Sequence, residues 1–185
     1  MLEKLLQWDR DAFIYLNSLG LEDYDVFWSI ATNFSTWIPL FLLFIYLVFK
    51  EYTKKEALWV IGTVILTLAV VAMLTGITKE IVARLRPNNT EEINTLIRIL
   101  KSPTGYSFFS GHASSSFSIT TSVFLFLRHR FKWSWLFFIW PITFAVSRIY
   151  LGVHYPIDLI VGAAVGVFFA ILFYRIYQRK FVVSE

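Results

Sequence analysis

Residues 57–78 read ALWVIGTVILTLAVVAMLTGIT, with no charge and no proline, and this stretch decides the fold class. A bilayer core asks for roughly 20 mainly apolar residues in a helix, because every backbone polar group must be satisfied inside the segment. Working outward, Phe27–Phe49, Trp133–Val146 with its flanks and Pro156–Tyr177 have the same character. Phe108–Leu127 is apolar but laced with serine and threonine. The 57% hydrophobic share lies above the ~45–50% of soluble domains. The expectation is an all-α, polytopic membrane helical bundle: an N-terminal interfacial helix plus about five transmembrane spans, about six helices in all. One domain over residues 1–185 is expected, without linker or repeat.

In Met1–Ser18, Leu2, Leu5, Leu6, Phe13 and Leu16 share a helical face, with Trp8 and charges around it, as in a helix lying on the membrane. Asp9 falls inside that apolar face, and the pattern gives no reason for it. The first span is expected over Asp23–Phe49 and the second over Ala57–Lys79, continuing as helix towards Arg86 until Pro87 stops it. Asn88–Ser107 is long for a loop, and Ile93, Leu96, Ile97 and Leu100 recur at helical spacing within it. A further span is expected over Gly111–Leu127, another over Trp133–Arg148, and a last one from Pro156, a residue suited to a helix's first turn.

The chain contains no cysteine, which excludes thiolate catalysis, disulfides and cysteine-based zinc sites. Its net charge of +4 calls for no nucleic-acid partner, because the charges follow topology. Lys50, Lys54, Lys55, Arg128, Arg130, Lys132, Arg175, Arg179 and Lys180 fall on one side of the expected spans, in short loops and at the C-terminus. By the positive-inside rule that side is cytoplasmic. The N-terminus and the long loop then face the exterior or periplasm. The first 18 residues lack the apolar core and cleavage site of a removable signal peptide.

Three polar clusters collect at span ends on the outer side. In the first, Lys79 and Arg86 are seven apart, so on a continuous helix they share a face. The second, Ser110-Gly111-His112, opens a span, and the N–H groups and dipole of a helix N-terminus suit a phosphate. Gly111 lets a ligand approach the backbone. In the third, Arg148 precedes His154 and Asp158, whose i, i+4 spacing lets the carboxylate fix the imidazole tautomer.

Plainer readings compete. Arg84, Arg98 and Lys101 are expected to snorkel to the interface. His129 sits in a basic turn. Ser114, Ser115, Ser116 and Ser118 are candidates for bonds to their own helix carbonyls. Gly162-x-x-x-Gly166 is expected to be a packing face. Asp158 stands apart, since an ionisable group inside a span is costly and has a partner.

Taken together, Lys79-x6-Arg86-Pro87, Ser110-Gly111-His112 and Ser147-Arg148-x5-His154-x3-Asp158 resemble the three motifs of the type-2 phosphatidic acid phosphatase family, in order, across residues 79–158. One departure is Phe109, where the family usually has proline. The resemblance implies that His154 is a nucleophile forming a phosphohistidine and that Asp158 orients it. It implies that His112 is the general acid, and that Lys79, Arg86, Ser110, Gly111 and Arg148 bind phosphate. No clustered carboxylates point to a metal, so neither metal nor cofactor is expected.

Vanadium haloperoxidases have a similar site but resemble this chain only in the motifs and are soluble. The implied activity is hydrolysis of a membrane-lipid phosphate, with the bilayer and that lipid as partners and no obligate protein partner. Undecaprenyl diphosphate, phosphatidic acid, phosphatidylglycerol phosphate and the phosphates of lipid A are the implied candidates, a polyprenyl diphosphate slightly ahead. Transfer of the phosphate to a second lipid stays open, since acceptor choice depends on pocket shape. A non-enzymatic membrane scaffold is disfavoured by the complete set of reacting residues.

Overall fold

The computed structural model describes residues 1–181, and among these there are helices and no strands. The α-helices are α1 (Leu2–Ser18), α2 (Asp25–Ala31), α3 (Ile38–Glu51), α4 (Lys54–Val82), α5 (Glu91–Asn94), α6 (Gly111–Leu127), α7 (Ile139–Tyr150) and α8 (Pro156–Phe181). Three helical runs are long and apolar enough to cross a bilayer: α3 with the 3-10 turn before it (Phe34–Glu51), α4 and α8.

The other two expected spans have different characters. Helix α6 is the central helix: Ser114, Ser116, Ser118 and Thr120 are wholly buried, so its hydroxyls face protein rather than lipid. Ser114, Ser116 and Ser118 each donate to the carbonyl three residues earlier, at 2.8–3.3 Å, as the plainer reading anticipated. The α7 run begins as a 3-10 helix over Lys132–Phe138. Its tighter turns rise ~2 Å per residue, which carries Lys132–Tyr150 through roughly 30 Å.

The densest packing is between α6 and α8, and glycine makes it possible. A β-carbon on Gly162 would lie 2.7 Å from the Ser110 carbonyl oxygen, and one on Gly166 would lie 2.4 Å from that of Ser114. Gly162 and Gly166 are therefore the packing face their spacing suggested. Thr75 of α4 adds a hydroxyl–hydroxyl bond to Ser114 at 3.1 Å. An aromatic core of Phe44, Phe126, Phe137, Trp140, Phe144 and Tyr177 fills the bundle between its helices.

Two boundaries correct the expectations. The first span is not one helix from Asp23: α2 ends at Ala31, the helix is interrupted at Thr32–Asn33, and helix resumes through Phe34–Trp37. Helix α4 starts at a capping box, Thr53 accepting from the Glu56 amide while Glu56 accepts from that of Thr53. It ends before Arg86, because Ala83 adopts the left-handed conformation, φ 48°. Arg86 then stands in extended backbone, so Lys79 and Arg86 do not share a helix face.

Helix α1 exposes Leu2, Leu5, Leu6 and Leu16 while burying Phe13 and Asn17. Asn17 clamps three segments: its amide nitrogen donates to the carbonyls of Arg98, Ile149 and Tyr150, and its oxygen accepts from the Arg98 amide at 2.7 Å. In the long loop only Glu91–Asn94 forms an α-helix. Ile93 is buried against Phe13 and Tyr155, whereas Leu96 is exposed.

Candidate active site

The loop between α7 and α8 supplies His154 and the first turn of α8 supplies Asp158. The turn into it needs Gly152, whose φ is +79° and where a β-carbon would lie 2.6 Å from the Arg98 carbonyl oxygen. His154 is 1% exposed. Its Nδ1 lies 3.4 Å from Asp158 Oδ2, a long contact, and its Nε2 lies 3.0 Å from Arg86 Nη1. A guanidinium can only donate and a carboxylate can only accept. The partners thus assign the proton to Nδ1 and leave the lone pair on Nε2. Burial, and then the charges of Arg86, Arg148 and Lys79, holds the imidazole well below its ordinary pKa, hence neutral.

Arg86 is itself buried, donating from Nε to the Gly105 carbonyl at 3.2 Å and from Nη1 to that of Val153 at 3.1 Å. Lys79, in the last turn of α4, donates to the neighbouring Tyr106 carbonyl at 2.6 Å. The two cations converge after all, from different elements, on the 105–106 segment. That segment turns at Gly105, φ +85°.

Ser110 caps α6, its hydroxyl accepting from the Ala113 amide at 3.4 Å and its own amide donating to the Asp158 carbonyl at 2.9 Å. This ties the start of α6 to the first turn of α8. The amides of Gly111 and His112 fall in the first turn, where an α-helix provides no partners. The protein leaves room for a β-carbon at Gly111: the nearest atom, in Thr75, would be 3.4 Å away. Phe109 is buried, and the Phe108–Phe109 peptide is cis.

His112 and Arg148 line a polar cavity of about 660 Å³ with Thr32, Asn33, Phe34 and Lys101. The imidazole of His112 rests between the rings of Phe34 and Phe144, at 5.6 and 4.9 Å. It is within electrostatic reach of His154. Arg148 donates to the Thr32 hydroxyl at 2.6 Å, and its buried Nε has no partner among the described residues. The helix interruption at Thr32–Asn33 is what brings that hydroxyl to the guanidinium.

Three cations expected at the interface are engaged elsewhere, and two of them, with one carboxylate, join the site. Lys101 does not snorkel: it donates to Asn33 at 3.1 Å, on the cavity wall, where burial and the charge of Arg148 lower its pKa. Arg98 pairs with Asp25 at 2.9 Å instead of reaching for the interface. Arg84 bridges Asp158 and Asp9, at 2.8 and 2.7 Å, with its guanidinium 3.9 Å above the Tyr155 ring. Asp9, unexplained by its pattern, is thus a buried partner of the site. Burial pushes its carboxyl above the ordinary value, while the Ile157 amide and Arg84 act against that. The signal available in sequence was Asp9's presence in an apolar face.

An apolar groove of about 400 Å³ adjoins the polar cavity, between α3, α4 and α6, with Phe41, Val48, Val64 and Ile119 among its walls. Phe34 lines both.

Residues 60–181 match the family model described as the PAP2 superfamily. A lipid A 4'-phosphatase from Bacteroides thetaiotaomicron is 33% identical over 184 residues, which is 97% of this chain and 81% of that protein. An undecaprenyl-diphosphatase from Sulfolobus acidocaldarius is 33% identical over 131 residues, 70% of this chain and 58% of that one. Among solved structures, a transmembrane PAP2-type phosphatidylglycerolphosphate phosphatase from Bacillus subtilis superposes with a TM-score of 0.71 at 18% identity. That superposition covers 92% of this chain and 87% of the other, and carries the fold alone.

Proposed function

The chain belongs to the PAP2 superfamily and is a membrane lipid phosphatase, and from that premise we propose how its residues act and on which lipid. The single observation that carries the mechanism is the placing of His154 between an acceptor, Asp158, at Nδ1 and a donor, Arg86, at Nε2, which puts the lone pair on Nε2, where a phosphate bound to Arg86 would meet it. Nε2 attacks phosphorus, the bond from phosphorus to the lipid oxygen breaks, and His112 gives that oxygen its proton. Water, deprotonated by His112, then attacks the phosphohistidine. The N–P bond breaks, and inorganic phosphate and neutral His154 are regained. Asp158 holds the Nδ1 proton and balances the positive charge on the ring while the N–P bond exists.

Phosphate enters from the polar cavity. Arg86 stays held by the Gly105 and Val153 carbonyls and exchanges its contact with Nε2 for the phosphate oxygens, and Arg148, Lys79, Lys101 and the first-turn amides of α6 share the remaining charge. Ser110 contributes by capping α6 and so aiming those amides. Oxygens that meet cations and amide donors need no metal to neutralise them, and Asp158 is already engaged by Arg84 and the Tyr155 amide.

The apolar groove takes the substrate's hydrocarbon, with Phe34 between tail and phosphate. Two lipid classes have support: a lipid A-type phosphate monoester, from the relative that matches nearly the whole chain, and a polyprenyl diphosphate, from the shorter match. The site faces the periplasm or exterior of the cytoplasmic membrane, since the short basic loops lie at the other end. Phosphate release by detergent-purified protein should be compared for both lipids, for phosphatidic acid and for phosphatidylglycerol phosphate, with His154→Ala alongside. Histidine-dependent release from one class names the substrate. Release from none, even with lipid acceptors added, contradicts the reading.

A further inference from the structure

Two carboxylates, Asp9 of α1 and Asp158 of α8, are both completely buried, and one guanidinium lies between them. Arg84 reaches Asp9 Oδ2 through Nη2 and Asp158 Oδ1 through Nη1, in a fixed fork over the Tyr155 ring. The second oxygen of Asp9 accepts the Ile157 amide at 2.9 Å, at the start of α8. The second oxygen of Asp158 accepts the Tyr155 amide at 3.0 Å and faces His154 Nδ1. An unbroken line of contacts therefore runs from the interfacial helix to the nucleophile. Its charges sum to one negative, located at the His154 end when Asp9 offsets Arg84.

We infer that Asp9 and Arg84 are positioning residues for phosphoryl transfer: Arg84 fixes the Asp158 carboxylate, and Asp9 offsets the guanidinium so that Asp158 keeps its full charge for His154. The argument is electrostatic. When the N–P bond forms, the ring gains positive charge, and a nearby uncompensated guanidinium opposes it in a medium of low dielectric. Phosphate binding happens on the other side of His154, with cations that do not include Arg84. The effect belongs to kcat rather than KM. It also gives α1 a part in the chemistry.

This inference rests on His154 being the nucleophile, so wild type and His154→Ala are assayed first; a fully active His154→Ala would overturn that reading and the inference with it. With it secured, Asp9→Asn keeps an acceptor for the Ile157 amide but removes the charge. Its kcat is expected to fall ~10-fold with KM within ~2-fold. Asp9→Asn combined with Arg84→Gln restores the net charge and is expected to recover kcat by ~3-fold over Asp9→Asn, the remaining deficit being the lost hold of Arg84 on Asp158. A merely structural pair would make the double variant worse than either single one. If Asp9→Asn does not assemble, as read by thermal unfolding in detergent, Arg84→Lys is the substitute test. A point charge cannot bridge both carboxylates, so its kcat should fall while KM holds. Wild-type kcat in the assembled single variant, or a double variant without recovery, overturns the inference.

Discussion

Arg86 Nη1 sits 3.0 Å from His154 Nε2, on the nitrogen whose other ring partner faces Asp158. The same guanidinium holds the Gly105 and Val153 carbonyls, so it is fixed from both sides of the pocket. Burial first, and then this charge, keeps the ring from protonating.

Arg86→Lys should therefore be a severe change. Lysine keeps the charge but cannot hold the Gly105 and Val153 carbonyls while meeting phosphate oxygens in a fork. A loss of ~10²–10³ in kcat/KM is expected from steady-state phosphate release, the scale for removing one preorganised donor. A loss below a few-fold would show that Arg86 only neutralises charge.

The depressed pKa of His154 makes a signed stability prediction. A group whose folded pKa lies below its unfolded value stabilises the fold above the unfolded value, near 6.5 for histidine, and that contribution is lost as pH falls further. Wild type should lose thermal stability relative to His154→Asn as pH is lowered from 6.5. Parallel curves for the two proteins would mean that His154 is not held neutral.

Gly166→Ala tests the α6–α8 contact. The added methyl would stand 2.4 Å from the Ser114 carbonyl oxygen and 2.9 Å from the Ser118 nitrogen. Backbone cannot yield as a flexible side chain can, so destabilisation of ~1–3 kcal/mol is expected in detergent unfolding. Activity should also fall, since the displaced helix α6 carries His112 and is capped by Ser110. An unchanged melting midpoint would contradict the packing account.

Phe34→Ala should separate tail from phosphate recognition. With the ring removed, the polar cavity and the apolar groove merge. KM for a long-chain lipid phosphate is expected to rise several-fold, while hydrolysis of a soluble aryl phosphate changes less. Equal effects on both substrates would place Phe34 with His112 rather than with the tail.

Much of this was legible in the sequence because the spacing was local. His154 and Asp158 lie one helical turn apart, Ser110 directly precedes the helix it caps, and Gly162 and Gly166 share a face. What escaped was long-range or conformational. Asp9 and Arg84 are 75 residues apart, and no periodicity links an interfacial helix to the end of a span. The left-handed turn at Ala83 has no glycine to announce it, so Arg86 was placed on a helix that had already ended. The break at Thr32–Asn33 lies inside an apolar run, and its value shows only when Thr32 meets Arg148. Lys101's place near a span end suggests an interface residue, and only the loop's path brings it to the cavity.

The most direct test is to trap the intermediate. Protein turning over a ³²P-labelled lipid phosphate should be quenched in alkali and digested. The account predicts an alkali-stable, acid-labile label on the peptide that contains His154, absent in His154→Ala. Label on another residue, or full turnover by His154→Ala, would contradict it.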